Sequence, residues 1–139
     1  MNQTYAVSST EVSKLYGLAY TLYCHQKYSE AYPIFRVLVD LAPQEAKYCK
    51  ALAACLQMQK DYESALEHYQ NAIILKTNQP DPYLFVYMAD CQFALGQVPV
   101  ALQTLSSAEK LAKKLGEKRI AQHVALMRSL WKKQNNSRQ

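Results

Sequence analysis

The side chains best suited to chemistry are four cysteines and three histidines, and their spacing suits neither catalysis nor metal binding. They are Cys24, Cys49, Cys55, Cys91, His25, His68 and His123. A zinc site favours ligands paired at short spacing, and the sequence offers one adjacent pair, Cys24-His25. No nucleophile stands in a typical pairing with a base, and no glycine-rich phosphate loop occurs. We therefore predict that the protein is not an enzyme and holds no metal or cofactor.

Three tyrosines near the N-terminus have a spacing that favours binding instead. Tyr16, Tyr20 and Tyr23 recur at i, i+4 and i+7, on one face of a helix. Core packing is the alternative explanation, but another stripe already fills the core positions of this helix, namely Leu15, Leu18, Ala19 and Leu22. The tyrosines lie about 100° around the helix from that stripe. Tyrosine offers a large contact area and a polar tip that tolerates water, so we predict a peptide-binding surface.

The elements that must position these tyrosines belong to a unit that repeats every 34 residues. Tyr28-Ser-Glu-Ala31 returns as Tyr62-Glu-Ser-Ala65. A period of 34 is typical of the tetratricopeptide (TPR) helix–turn–helix repeat, which stacks into a solenoid with a concave binding surface. We predict an all-α, right-handed solenoid that forms one domain over residues 1–139. Its predicted repeats are about 12–45, 46–79 and 82–115.

The ends of the repeats and the last helix can also be predicted. Ser8-x-x-Glu11 is a candidate capping box that opens the first helix. After the third repeat an apolar stripe predicts a C-terminal capping helix over about 117–133, formed by Ile120, Val124, Met127 and Trp131. We expect residues 134–139 to be disordered.

The repeat pattern assigns each side chain either to the core or to the concave groove. Small residues are expected where paired helices approach most closely, at Ala19, Ala53 and Ala89. In the second helix of each repeat the pattern assigns further residues to the core, among them Phe35, Leu41 and Tyr69. The predicted peptide-binding residues are Tyr16, Tyr20, Tyr23, Lys47, Lys50, Ala54, Gln57, Met58, Tyr83, Val86, Asp90 and Phe93. This groove carries few charges, and we expect Lys47 and Lys50 to hold one acidic residue of a mainly apolar ligand.

Composition and charge exclude several classes of protein. The chain is 50% hydrophobic and 19% charged, as expected of a globular protein. Residues 1–108 carry seven basic and nine acidic side chains, and residues 109–139 carry nine and two. No basic stripe with interleaved aromatics crosses the repeats, so we expect a solvated capping helix and no nucleic-acid partner. We also expect no signal peptide and no membrane insertion, and therefore a cytoplasmic protein.

Two segments go beyond the general TPR pattern. They are Leu15-Tyr-Gly-Leu-Ala-Tyr-x-x-Tyr23 with Lys27-Tyr-Ser-Glu-Ala31, and Pro80-x-Pro-Tyr-x-Phe85 with Met88-Ala-Asp-Cys-Gln92. Both resemble the TPR chaperones of bacterial type III secretion, the class II chaperones of the hydrophobic translocators. The resemblance covers about residues 12–115.

The resemblance implies a bacterial virulence chaperone that holds an extended apolar segment of a translocator in its groove and keeps it soluble before export. It implies groove aromatics at Tyr16, Tyr20 and Tyr23, and a second contact region around Phe85, Ala89 and Cys91. The family has a longer N-terminal helical extension that is linked to dimerisation, so we expect at most a weak homodimer.

Two other binding functions remain as alternatives. One is a TPR scaffold or regulatory protein of a secretion apparatus. The other is a TPR adaptor that recognises a C-terminal carboxylate, but that clamp requires lysine and asparagine where this chain has Tyr16 and Tyr20.

Overall fold

A computed structural model describes residues 7–137, and these residues form seven α-helices and no strand. The helices are α1 (Ser9–Cys24), α2 (Tyr28–Leu41), α3 (Ala46–Met58), α4 (Tyr62–Leu75), α5 (Pro82–Ala94), α6 (Val98–Lys114) and α7 (Lys118–Ser137). Each helix packs mainly on its neighbours in chain order. Such nearest-neighbour packing is the mark of a solenoid, and it pairs α1 with α2, α3 with α4 and α5 with α6.

The turns inside the helix pairs share one backbone device. A residue with positive φ follows the first helix of each pair, and another lies between α6 and α7. These residues and their φ angles are Gln26 (63°), Lys60 (67°), Gly96 (81°) and Gly116 (75°). At each of these turns, the backbone N–H of the following residue donates a hydrogen bond to a carbonyl in the last turn of the preceding helix. Asp61 N, for example, donates to Leu56 O at 2.9 Å. This is the Schellman arrangement, and it sets the direction of each returning helix.

Polar side chains cap the helices where the sequence suggested a start. Ser8 Oγ accepts a hydrogen bond from Glu11 N at 3.2 Å, which is one of the two hydrogen bonds of the predicted capping box. Asp81 Oδ1 accepts from Tyr83 N at 3.0 Å, and Pro82 occupies the first turn of α5, where no helical amide partner is lost. These caps fix the first residues of α1 and α5, two of the helices that face the groove.

The core lies between the paired helices and divides into two clusters. One joins the first two repeats to α5, and the other joins α5, α6 and α7 through Val86, Ala89, Leu105, Ala108 and Val124. Ala19, Ala53 and Ala89 are completely buried, as predicted. The small side chains allow the paired helices to approach closely.

Two leucines that the repeat pattern assigns to the core are exposed. Leu18 is 52% exposed, whereas Leu52, one repeat later, is fully buried. Leu52 is covered because α3 packs on α2, but within residues 7–137 no helix precedes α1. Leu41 is also exposed, at the end of α2. The prediction of an inward position is wrong for both residues.

The C-terminal helix is longer than predicted. It continues to Ser137, so the expectation of disorder is wrong for residues 134–137, while residues 138–139 lie outside the described part of the chain. Ser137 Oγ donates to Lys133 O at 2.9 Å, which holds the last turn in helical geometry. A partly buried charge network holds α7 on α6: Arg128 Nη2 lies 2.8 Å from Glu109 Oε2, and Arg128 Nη1 donates to Ser106 Oγ at 3.0 Å. No helix within residues 7–137 has the length and hydropathy to cross a bilayer.

Candidate functional site

The first helices of the three pairs, α1, α3 and α5, line one side of the solenoid and enclose a groove. Its cavity has a volume of about 520 Å³. Nine of the twelve predicted residues line it: Tyr16, Tyr20, Tyr23, Lys47, Lys50, Ala54, Gln57, Met58 and Asp90. The solenoid therefore brings together side chains that are up to 74 residues apart in the sequence, the separation of Tyr16 and Asp90.

Aromatic rings form the wall of the groove on α1, and other rings support them from behind. The Tyr16 ring centroid lies 6.1 Å from that of Tyr20, 6.1 Å from that of Phe35 and 5.6 Å from that of Tyr48. Tyr20 is 53% exposed, whereas Tyr16 and Tyr23 are half-buried. Because neighbouring rings hold them in place, these tyrosines lose little side-chain entropy when a ligand binds. Tyr16 and Tyr23 also pack against the core, so both interpretations of the stripe apply to these two tyrosines.

The floor of the groove is a buried tyrosine with a fixed hydrogen bond. Tyr69 is 1% exposed, and its hydroxyl donates to Gln57 Oε1 at 2.7 Å. Burial raises the pKa of the Tyr69 phenol well above its ordinary value, so the hydroxyl remains a donor at neutral pH. Since Gln57 Oε1 is engaged in this way, its Nε2 group is available to donate to a ligand carbonyl.

Two lysines on α3 reach over tyrosine rings at one edge of the groove. Lys47 Nζ lies 5.0 Å from the Tyr16 ring centroid, and Lys50 Nζ lies 5.5 Å from that of Tyr87. Both distances are within the range of cation–π attraction. Lys50 Nζ also lies 3.7 Å from Asp81 Oδ2. The ammonium groups are therefore held at the groove edge.

Asp90 places a carboxyl group at the α5 side of the same groove. Burial raises its pKa to about 6, and the nearby His123 of α7 opposes that shift. A half-buried carboxylate among tyrosines is costly unless it accepts hydrogen bonds. The groove thus offers an acceptor at Asp90 and a donor at Gln57, both of which an extended peptide backbone can use.

Three predicted site residues lie outside the cavity, and α7 explains two of them. Val86 is 4% exposed and packs in one cluster with Val124. Phe93 stacks on Trp131, with ring centroids 4.4 Å apart. Because α7 covers the concave face of the third repeat, neither side chain lines the groove, and their prediction as groove residues is wrong for that reason. Tyr83 is exposed outside the cavity and stacks on Tyr87.

Four lining residues were not predicted as part of the site: Phe35, Ala51, Tyr69 and Tyr87. Phe35 and Tyr69 occupy equivalent positions one period apart, and the sequence assigns both to the core. They are core residues whose edges also form the groove floor. Ala51 follows the predicted groove residue Lys50, and Tyr87 likewise follows Val86. Including that neighbouring position of each helix would have identified both.

The four cysteines are free thiols; Cys24 is exposed beside His25, and the other three are buried. Among residues 7–137 no three His, Cys, Asp or Glu side chains gather as metal ligands would. Burial raises the pKa of Cys55 to about 11 and that of Cys91 to about 12, so both are neutral thiols at physiological pH. His68 is half-buried in α4, and burial lowers its pKa.

Comparison with known proteins agrees with this architecture. The tetratricopeptide repeat family matches residues 14–44 and 46–78. Low calcium response locus protein H from Yersinia pestis is 28% identical over 123 residues, which cover 87% of this chain and 71% of that protein. The protein of the same name from Yersinia pseudotuberculosis is 28% identical over 106 residues, covering 76% of this chain and 61% of that protein.

Two solved structures of complexes have the same fold. One is PcrH from Pseudomonas aeruginosa in complex with the chaperone binding region of PopD. PcrH is 26% identical to this chain, and the two align with a TM-score of 0.85 over 96% of this chain and 99% of PcrH. The Yersinia enterocolitica type III secretion chaperone SycD, in complex with a peptide of the translocator YopD, is 26% identical, with a TM-score of 0.82 over 94% and 99% of the two chains. The matched repeats and these structures show a tetratricopeptide-repeat fold that is similar to the fold of type III secretion chaperones.

Proposed function

We propose that this protein is a bacterial cytoplasmic chaperone that binds an extended apolar segment of a type III secretion translocator in its tyrosine-lined groove. The groove itself is the observation that carries the proposal. It is a cavity of about 520 Å³ with aromatic walls and few charges. It lies in a fold shared with chaperones whose structures contain translocator peptides.

Binding alone is sufficient for this role. A free translocator exposes apolar surface that would associate with membranes or with other copies of itself. A chaperone that covers this surface lowers its free concentration by mass action, and no bond needs to be made or broken. We therefore propose that the protein acts without catalysis and acts before export, which places it in the cytoplasm.

The polar groups of the groove favour an extended segment rather than a helix. Extended backbone has amide groups without internal partners, and these lose their water when they are buried. Gln57 on α3 and Asp90 on α5 can replace that water, as donor and acceptor. The apolar side chains of the segment would then lie between Tyr20, Tyr23 and Met58.

Co-expression with the proteins that the neighbouring genes encode tests the proposal. We expect a stable complex and soluble translocator, and we expect Tyr20→Ala to weaken that complex while the helical circular dichroism is unchanged. Tyr20 is the suitable position because it is the most exposed of the three tyrosines. Ile74→Ala is the matched control, since Ile74 is 69% exposed on α4 and does not line the groove. Capture of a small apparatus subunit instead of a translocator would favour the scaffold alternative.

A further inference from the structure

The groove is continuous with a second, more polar cavity. This cavity has a volume of about 630 Å³ and lies between the α2–α3 connection and the α4–α5 connection, beside the first turns of α3 and α5. Lys47 and Lys50 line both cavities, so a ligand that leaves the groove past these lysines enters the second cavity directly. We call it the lysine pocket, after Lys47, Lys50 and Lys76.

The charges around the lysine pocket leave cationic donors without strong partners. Its three lysines face two carboxylates, Glu45 and Asp81. Asp81 already caps α5 through Tyr83 N at 3.0 Å and lies 3.7 Å from Lys50. Within residues 7–137 neither Lys47 nor Lys76 forms an ion pair with a carboxylate. Asn78 and Gln79 add neutral amide groups to the same wall.

We propose that the lysine pocket binds an acidic side chain of the chaperoned segment, next to its apolar stretch. This inference rests on the proposed function, since it names a feature of the same ligand. The Tyr16 and Tyr48 rings hold the Lys47 ammonium in place, at 5.0 and 5.4 Å from their centroids. A carboxylate that arrives from the groove would therefore meet a positioned donor and form a charge-assisted hydrogen bond.

The physical consequence is a fixed register and direction for the bound segment. Apolar contacts with tyrosine rings do not fix the position of the bound segment along the groove, because every aliphatic side chain packs on a ring in a similar way. A charged contact at one end of the groove is selective, because a neutral or basic residue gains nothing there. The lysine pocket lies at the lysine edge of the groove, and Asp90 lies on its α5 side. An acidic residue is therefore favoured beside Lys47 and disfavoured beside Asp90.

A positional-scanning library of short, C-terminally amidated peptides tests this inference. Each peptide carries an apolar stretch rich in proline and leucine, and one flanking position is Glu, Gln or Lys. Binding is measured by fluorescence anisotropy. We expect Glu to bind about three- to fivefold more tightly than Gln at one flanking position, as for a largely exposed ion pair, with the advantage reduced by added salt.

Variants of the pocket separate this role from a general loss of charge. Lys47→Gln and Lys76→Gln should each reduce the preference for Glu. Lys76→Gln should in addition leave the affinity for the Gln peptide nearly unchanged, because Lys76 lines the lysine pocket and not the groove. Lys110→Gln is the matched control, because Lys110 is exposed on α6 and lines neither cavity. Thermal denaturation of every variant checks that the fold is retained.

Each outcome decides one of the two proposals. Peptides that bind without any preference for Glu would contradict the proposed role of the lysine pocket but would not contradict the proposed chaperone function of the groove. The same peptides are also made with a free C-terminus, and a gain in affinity that appears only in that form would assign the lysines to a terminal carboxylate and would also contradict the proposal. Failure of every apolar peptide to bind would contradict the proposed function itself, and the lysine pocket with it.

Discussion

Removing the arginine that joins α7 to the third repeat should loosen the cap of the solenoid. Arg128 makes two contacts across the α6–α7 interface, with Glu109 Oε2 at 2.8 Å and Ser106 Oγ at 3.0 Å. The Glu109 side chain is 11% exposed and that of Arg128 28% exposed, so the pair is largely shielded from water. Arg128→Met retains most of the aliphatic packing and removes the charge, which leaves Glu109 with Lys113 at 3.1 Å as its remaining ion pair.

The size of the effect follows from this partial burial. Breaking a fully buried pair costs about 3–5 kcal/mol, and an exposed pair is worth about 1 kcal/mol or less. Since Lys113 still neutralises Glu109, we expect Arg128→Met to lower the free energy of unfolding by about 2 kcal/mol. The double variant Glu109→Met/Arg128→Met should recover about 1 kcal/mol of that loss, because no carboxylate is then left without its arginine.

Trp131 gives a direct optical measurement of this interface. It is the only tryptophan of the chain, and it stacks on Phe93 of α5 at 4.4 Å. Urea denaturation followed by tryptophan fluorescence should show the Arg128→Met transition at lower urea than in the parent protein. Circular dichroism at the same urea concentrations reports the rest of the solenoid. Equal stabilities for Arg128→Met and the double variant would show that Glu109 carries no penalty when Arg128 is absent, and would refute the reasoning.

Three further changes test the packing, the turns and the groove. Ala53→Leu should lower the free energy of unfolding by about 1–3 kcal/mol through overpacking between α3 and α4, and a neutral result in urea denaturation would contradict the close approach of these helices. Lys60→Gly should raise the free energy of unfolding by about 0.5 kcal/mol, because glycine adopts the φ of 67° without strain. Gly96→Ala should lower the free energy of unfolding, because alanine is strained at a φ of 81°. Effects of the same sign would show that the left-handed backbone of these turns does not determine the change in stability. Burial raises the pKa of Asp90 from 3.8 to about 6, so the folded protein binds this proton more tightly than the unfolded chain does. The resulting stabilisation is full below pH 3.8, the unfolded pKa, and is lost as the pH rises through about 6. Asp90→Asn should remove this part of the pH dependence of stability. Parallel curves of unfolding free energy against pH for the parent and the variant between pH 3.8 and about 6 would argue against a buried carboxyl.

The sequence by itself was sufficient to predict the repeat, the helices and most of the groove. These features depend on local spacing: a period of 34 residues, a small residue at each close approach, and tyrosines at i, i+4 and i+7. Spacing on a helix determines which side chains share a face, and stacking equivalent helices brings the equivalent faces together. For this reason Tyr16, Gln57 and Asp90 could be assigned to one surface although they lie on three different helices.

Only the tertiary structure decided which of those faces are covered. Leu18 follows the same pattern as Leu52 but is exposed, because no described helix packs in front of α1. Val86 and Phe93 follow the groove pattern but are covered, because α7 packs over the third repeat. The hydrogen bond from Tyr69 to Gln57 and the ion pair of Arg128 with Glu109 likewise join different helices. Burial depends on the neighbour that a face meets, and a periodic sequence specifies the face without specifying that neighbour.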